Sequence, residues 1–555
     1  MRCRAIALLM LAAVLPFVGA LSGGYVYDDV PLIERSGPVQ NLAWWSLWTE
    51  PLFGTQTPYW RPLTSLTLAI GNALGGAAGV HALALLLHAV NTALVFDWLQ
   101  RRYGEAPRAS LAALLFAWHP VQTEAVAWCA AINDPLWACF ALLALRAADR
   151  APTANRRQGW PIGGWFLAAL LAKENALAIA PLLLLARPGG DRTASRRHTA
   201  VAVLAAIAAW WLLRMLVFGS FDGGFARAPA PPPPQWSDIL APARLLLAHV
   251  ALWVAPVGLT PFRDFVTGPL GTELLAATAV AVLLVVCWYC RNRVAAPIRT
   301  FVLLALVPLL PNVLLWRTVG GSPIGERYLY LATLGVVSLL GWYARGRGRW
   351  LFALLLPAAG WLSYTQTAVW RSETSLVRHS LAEAPQAPAV HLLAGHVALR
   401  RAQAGEPPAL AAAEQHFAFA ARRAADRGEA LRRVLGEALL GEAWCLTIRN
   451  PGSDQTSAQA RIDAFGRALA ADADNAAAWI GLGVAHGMAG NAASSAEAIR
   501  RGLSLDDKNA DGWCNLGFLL LQQGRQQEAG AALQRALDCD PGHARAAELL
   551  TQTKR

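Results

Sequence analysis

Followed by polarity, the chain falls into two regimes. As far as about residue 370, Leu-, Ala- and Val-rich blocks alternate with short polar or basic breaks, each block approaching the ~20 residues that cross a bilayer. Beyond that point long apolar runs cease and the composition turns to Ala, Arg, Glu and Asp. The pattern predicts an all-α protein, with a polytopic membrane domain over 1–370 and a soluble helical domain over 371–555.

The breaks orient the crossings. Basic residues gather in "RCR", "QRRYGEAPR", "RAADRAPTANRRQ", "RPGGDRTASRR", "CRNRVAAPIR" and "RGRGRW", and such clusters favour the cytoplasmic side. With Arg2 and Arg4 inside, the segment 9–21 runs outward and sets Asp28 and Asp29 on the exterior side. Segment 80–99 then returns, 109–117 leads out and 135–145 leads back, the last two being short on apolar count. Over 160–186, two short arms are expected to meet at "AKEN" on the exterior side, since irregular backbone at that depth must be shielded by protein or water. Segment 199–218 runs outward to the proline run "PAPPPP", which cannot sustain a helix. Segment 239–259 is either a span or an interfacial helix, and the later clusters favour the second. The remaining passes are 274–290 inward, 300–316 outward, 328–343 inward and 350–367 outward. The soluble domain is then on the same side as Asp28.

Within that domain the stretches beginning "NAAAWIGLG" and "NADGWCNLG" repeat at 34 residues. Trp479 matches Trp513, Leu482 and Gly483 match Leu516 and Gly517, Gly490 matches Gly524, and Leu503 matches Leu537. Period and pattern are those of tetratricopeptide helical hairpins, clearest at 475–508 and 509–542, with further units expected upstream. Such α-solenoids offer a concave surface to peptides or partner proteins, or act as rigid spacers.

Composition narrows the class. At 55% apolar and 15% charged, with 23 Trp, this is not an ordinary soluble enzyme. The net charge of +12 lies mainly in the inter-segment clusters, so no basic stripe is left for a polynucleotide. Eight Cys are scattered (Cys3, Cys129, Cys139, Cys287, Cys290, Cys445, Cys514, Cys539). "CWYC" has redox spacing, but its place at a segment end against "RNR" favours interfacial thiols. The first segment has features of a cleaved signal peptide, yet a retained helix is expected, because cleavage would release "LSGGYVYDD" from its anchor.

Charges near a membrane need a partner, a cavity or water. Those expected on the exterior side are Asp28, Asp29, Arg61, His81, His119, Glu124, Asp134, Lys173, Glu174, Asp264, Glu326 and Arg327. Adjacent carboxylates at 28 and 29 could deprotonate an acceptor or hold a divalent cation, or merely cap the helix starting near Val30. Arg327 and Lys173 could grip a phosphate, although Lys173 and Glu174 could also simply neutralise each other. A lipid-carried sugar phosphate would use both features. A proton-coupled transporter would instead place its ionisable groups near the midplane within inverted repeats, and neither is seen.

The ordered set "YVYDDVPLI", "YWRPLTSLTLAIGNALGG", "HALALLLHAVNTALVF", "LLFAWHPVQTEAVAW", "INDPL", "LLAKENALAIAPLLLL", "PLLPNVLLW" and "IGERYLYLATLG" resembles the membrane O-mannosyltransferase-like proteins that bear tetratricopeptide repeats. The resemblance covers essentially the whole chain. It implies a C-type glycosyltransferase fold and inverting transfer of a sugar, commonly mannose, from a polyprenyl phosphate to a Ser/Thr hydroxyl of a protein. Carried over by motif, one of Asp28 and Asp29 is the acceptor's base and the other a positioning or cation-binding residue. Lys173 and Arg327 would contact the donor phosphate, while Arg61, His119, Glu124, Asp134, Glu174, Glu326 and Tyr328 would shape the cavity. At "AAIND" the chain lacks the glycine-arginine step of many relatives, which weakens phosphate binding by that loop. The one cofactor candidate is a divalent cation, Mg or Mn, at Asp28 and Asp29. The expected setting is a bacterial inner membrane, with site and repeats in the periplasm and an acceptor polypeptide on the repeats. Rival readings are a lipid or glycan acceptor, and a non-catalytic assembly scaffold.

Overall fold

The computed structural model describes the chain apart from residues 1, 54–56, 151–158, 186–191, 228–232, 266, 319–321, 345, 428–430, 453, 541 and 554–555. The basic stretches at 151–157 and 187–191, most of the proline run, and Arg345 therefore lie outside the described residues. Secondary structure among the described residues is helical throughout, and the chain divides into two compact units, one reaching His379 and one from Ser380 onward.

In the first unit, seven helices among the described residues are long and apolar enough to cross a membrane: Arg4–Ser22, Pro62–Tyr103, Cys129–Asp149, Arg197–Phe218, Trp236–Val254, Leu270–Cys290 and Ala296–Leu314. The protein is thus a multi-pass membrane protein. Many of their large apolar side chains face outward, Leu216 at 79% exposure and Leu275 at 72%, as a lipid-solvated surface requires. The interior is filled by Trp60, Trp98, Phe116, Phe166, Trp210 and Phe301.

The 42-residue run Pro62–Tyr103 is two arms, with non-helical backbone at Gly75 and Gly76, the latter at φ 59°. A Cβ on Gly79 would fall on the Gly71 carbonyl, and one on Gly71 would sit 2.8 Å from Val80 Cα, so the arms double back on glycine contacts. The expected single crossing at 80–99 is therefore preceded by an arm over 62–74. Its charge-free sequence gave no cue to the reversal.

At "AKEN" the expected break is present. Helix Gly159–Ala172 ends at Lys173, whose backbone is extended (φ −160°, ψ 132°), and helical structure resumes over Glu174–Ile179 and Ala180–Leu185. Trp236–Val254, expected to lie flat, has the length and composition of a span. Cys287 is exposed at the end of its helix and Cys290 half-buried, and neither forms a disulfide.

The second unit stacks hairpins: Pro388–Gln403 with Pro407–Ala425, Arg432–Arg449 with Gln455–Ala471, Ala476–Met488 with Ala492–Leu505, and Ala510–Gln522 with Gln526–Cys539. The last two pairs repeat in detail. Asn475 and Asn509 cap their helices by accepting from Ala478 and Gly512 N–H groups. Trp479 and Trp513 each donate the indole N–H to a carbonyl six residues back, at 2.8 Å in both. Gly483 and Gly517 abut Ile499 and Leu533, where a Cβ would clash, and Gly490 and Gly524 turn the chain at φ 79° and 74°.

Candidate functional site

The acidic pair follows the first membrane helix on a strained bend. Tyr27 sits at φ 53°, a left-handed conformation rare for an aromatic residue. Its ring lies 5.1 Å from Phe262 and 5.8 Å from Trp128, contacts that hold the bend. From there the two carboxylates diverge. Asp29 is fully buried and accepts from Ala130 N–H (2.6 Å) and Val26 N–H (3.0 Å). It occupies the cap position of the wide turn Val30–Glu34 but makes no side-chain capping bond, so the helix-capping alternative is not what the fold does. The Asp28 carboxylate is half-buried, makes no hydrogen bond among the described residues, and feels the Arg327 guanidinium. Burial pushes it up to about 6, against the pull of that arginine.

Arg327 comes from the turn Glu326–Leu329. Its backbone N–H donates to Glu124 (2.8 Å), its guanidinium also pairs with Glu124, and a second arm donates to the Tyr328 hydroxyl (3.0 Å). The cation lies 4.7 Å from the Tyr328 ring and 5.4 Å from Trp128, which stacks on Trp370 at 5.3 Å. Lys173 approaches Tyr328 at 5.7 Å, so both cations border one aromatic ring.

Lys173 and Glu174 do not neutralise each other. The backbone break turns them apart: Lys173 donates to both oxygens of Asp134 (2.6 and 2.7 Å), and Glu174 is held bidentately by Arg61, with Nε at 2.9 Å. Trp137 adds an indole N–H to Asp134 at 3.1 Å. The loop before Asp134 carries no phosphate-binding cation, and its Ala130 N–H instead secures Asp29. His119 stands apart. It accepts from Val121 N–H (3.4 Å) and faces the Trp253 carbonyl (3.3 Å), and burial holds it at about 4, a neutral cap rather than a charged wall.

Three participants were missed in the sequence. Arg263 pairs with Glu326, and nothing in "TPFRDF" marks it. Arg214 donates to the Pro58 carbonyl (2.8 Å) among Trp210, Phe218 and Phe225, and its isolation in "AWWLLRMLVF" was a usable signal. Asn312 accepts from Asn175, two residues beyond Lys173, at 3.0 Å.

The fit of a divalent ion at the acidic pair is poor. Both Asp29 oxygens are engaged by backbone N–H groups, and no group of three or more His, Cys, Asp or Glu among the described residues could hold a metal.

A tetratricopeptide-repeat model matches residues 510–543. Human protein O-mannosyl-transferase TMTC4 is 32% identical over 198 residues, 30% of this chain and 27% of its own. The chain is similar to protein O-mannosyl-transferases. The Caenorhabditis elegans protein O-mannosyl-transferase F38B6.6 is 24% identical over 424 residues, 71% of this chain and 60% of its own. Human protein O-mannosyl-transferase TMTC1 is 25% identical over 474 residues, 70% and 52%. The chain thus spans 27% to 60% of these relatives' lengths. They are animal proteins and give no support to a bacterial membrane. Among solved structures, a tetratricopeptide protein of Thermus thermophilus aligns with 38% of this chain and 95% of its own at 18% identity and TM-score 0.26, too slight a likeness to bear on the fold.

Proposed function

We propose that the chain is an inverting glycosyltransferase of C-type fold, moving a sugar, mannose by resemblance, from a polyprenyl phosphate to a Ser/Thr hydroxyl on the non-cytoplasmic side of its membrane. The observation that carries this reading is the contrast within the acidic pair: Asp29 is occupied by backbone donors, whereas Asp28 has no such bond and faces Arg327. Asp28 is therefore the base and Asp29 the residue that positions it.

In this reading Asp28 takes the proton of the acceptor hydroxyl, whose oxygen attacks the anomeric carbon opposite the phosphate. The bond from that carbon to the phosphate oxygen breaks, and the lipid phosphate leaves as an anion. Arg327 and Lys173 stabilise the developing charge. No protonated acid is needed, because the leaving group is already an ionised phosphate. Lys173, buried and paired with Asp134, gives a fixed charge, and Arg327 has N–H groups beyond those given to Glu124 and Tyr328. The repeats would hold the acceptor polypeptide.

The test is transfer from a panel of polyprenyl-phosphate sugars to a mixed protein acceptor extract by the purified full chain. Asp28→Asn is expected to lower transfer roughly 10²- to 10⁴-fold while the variant still folds. Transfer by Asp28→Asn at the wild-type rate would reject the assignment.

A further inference from the structure

Arg263 anchors a row of charges that ends at Arg327. Its guanidinium donates to the Thr260 carbonyl (3.1 Å) and the Gly258 carbonyl (2.6 Å) and pairs with Glu326, while the Arg263 carbonyl accepts from the Ser322 hydroxyl at 2.6 Å. Glu326 also accepts from Thr260 N–H at 3.1 Å. Beyond it stands Glu124, whose carboxyl interacts with that of Glu326 and which holds Arg327 through both its backbone and its guanidinium. Both glutamates are 2% exposed. Two buried carboxyls in contact cannot both ionise cheaply, so one proton between them is the low-energy arrangement. The row then carries two guanidinium charges against one carboxylate charge.

We propose that Arg263 is a positioning residue for the donor phosphate, acting through Glu326 and Glu124, which share one proton, to fix Arg327 and to keep a second buried carboxylate charge away from that phosphate. The proposal rests on Arg327 being a phosphate ligand, as argued above. With the ionised Asp28 counted, the shared proton leaves the cluster neutral where two ionised glutamates would make it negative. Burial pushes Glu326 up to about 8, against the pull of Arg263 and with the help of Glu124. The charged or titratable groups facing the pair are Arg263 and Arg327, with Tyr328 and Asp28 beyond Arg327 and His249 ring-to-ring with Tyr328 at 6.4 Å.

The probe is a sugar-free polyprenyl phosphate, with the full chain in lipid nanodiscs. Affinity should fall roughly tenfold between about pH 7 and about pH 9.5 as the shared proton leaves, the probe's own second ionisation near ~6 being largely complete. Glu326→Gln should lose clearly less affinity than the wild type over that window, the buried Lys173 ammonium supplying the dependence that remains. Arg263→Gln should bind roughly tenfold more weakly at neutral pH, with partial rescue by Arg263→Lys. In ligand-free protein, an infrared carbonyl band of a protonated carboxyl should titrate over the same window and vanish in Glu326→Gln and in Glu124→Gln. A flat wild-type affinity, an Arg263→Gln variant that binds like the wild type, or absence of the band would overturn the proposal. A wild type that never binds the probe would sink the phosphate-ligand reading itself, a failure seen separately because the band needs no ligand.

Discussion

Asp28 and Asp29 are neighbours in sequence with opposite surroundings, and the difference has consequences in pH. A base must be ionised, so transfer should rise with pH through about 6 and level off above it. The stability sign is the reverse. Because the folded state holds the Asp28 pKa above its unfolded value, ionisation costs folding free energy as pH rises from about 4 to 6. Asp28→Asn should remove both effects, read as a pH-rate profile and a pH series of melting temperatures. Asp29→Ala leaves two buried N–H groups without their acceptor and should destabilise the protein by about 1–3 kcal/mol, measured by thermal unfolding. At Lys173 a single change to Met strands the buried Asp134 charge, for an expected loss of about 3–5 kcal/mol. The double variant Lys173→Met with Asp134→Leu should recover most of that loss, and a double-variant loss equal to the sum of the two single losses would mean the pair is not coupled. The sequence marked Lys173, Glu174 and Arg327 as charges needing partners, but partner choice depends on how helices bring distant segments together, and no local pattern encodes that Glu124 meets Arg327.

At the scale of elements, legibility followed local chemistry. The break at "AKEN" was visible because an adjacent acid and base interrupt an apolar run, and the repeats because Trp, Gly and Asn recur at fixed spacing. The reversal at Gly75 and Gly76 was hidden, since glycine is common inside membrane helices and the arm before it, over 62–74, carries no charge to orient it. Its geometry makes Gly79 sensitive. Gly79→Leu should overfill the contact with Gly71 and cost about 1–3 kcal/mol or more, read from the yield of folded protein and its melting temperature. In the repeats, Gly483 and Gly517 seat the neighbouring helix in the same way, which ties the 34-residue period to close packing and not to composition alone.

At the scale of the whole molecule, a multi-spanning unit carries the charged site and a separate unit carries the repeats. If the repeats select the acceptor, removing residues 389–555 should change which polypeptides are modified while polyprenyl-phosphate binding persists. Unchanged acceptor choice on a proteome-wide glycosylation comparison would refute that role. The two-regime architecture was legible from polarity alone, whereas membrane sidedness rests on charge bias and is an expectation that a cysteine-labelling map of loops would check. In the best-matched repeats, the asparagine cap and the glycine seat are supplied inside the repeat they secure, and the indole tether reaches a carbonyl at the end of the unit before it. An in-frame duplication of one such module would therefore bring its own fastenings with it, and lineages could lengthen or shorten the array, altering its reach, without rewriting the chemistry housed in the membrane.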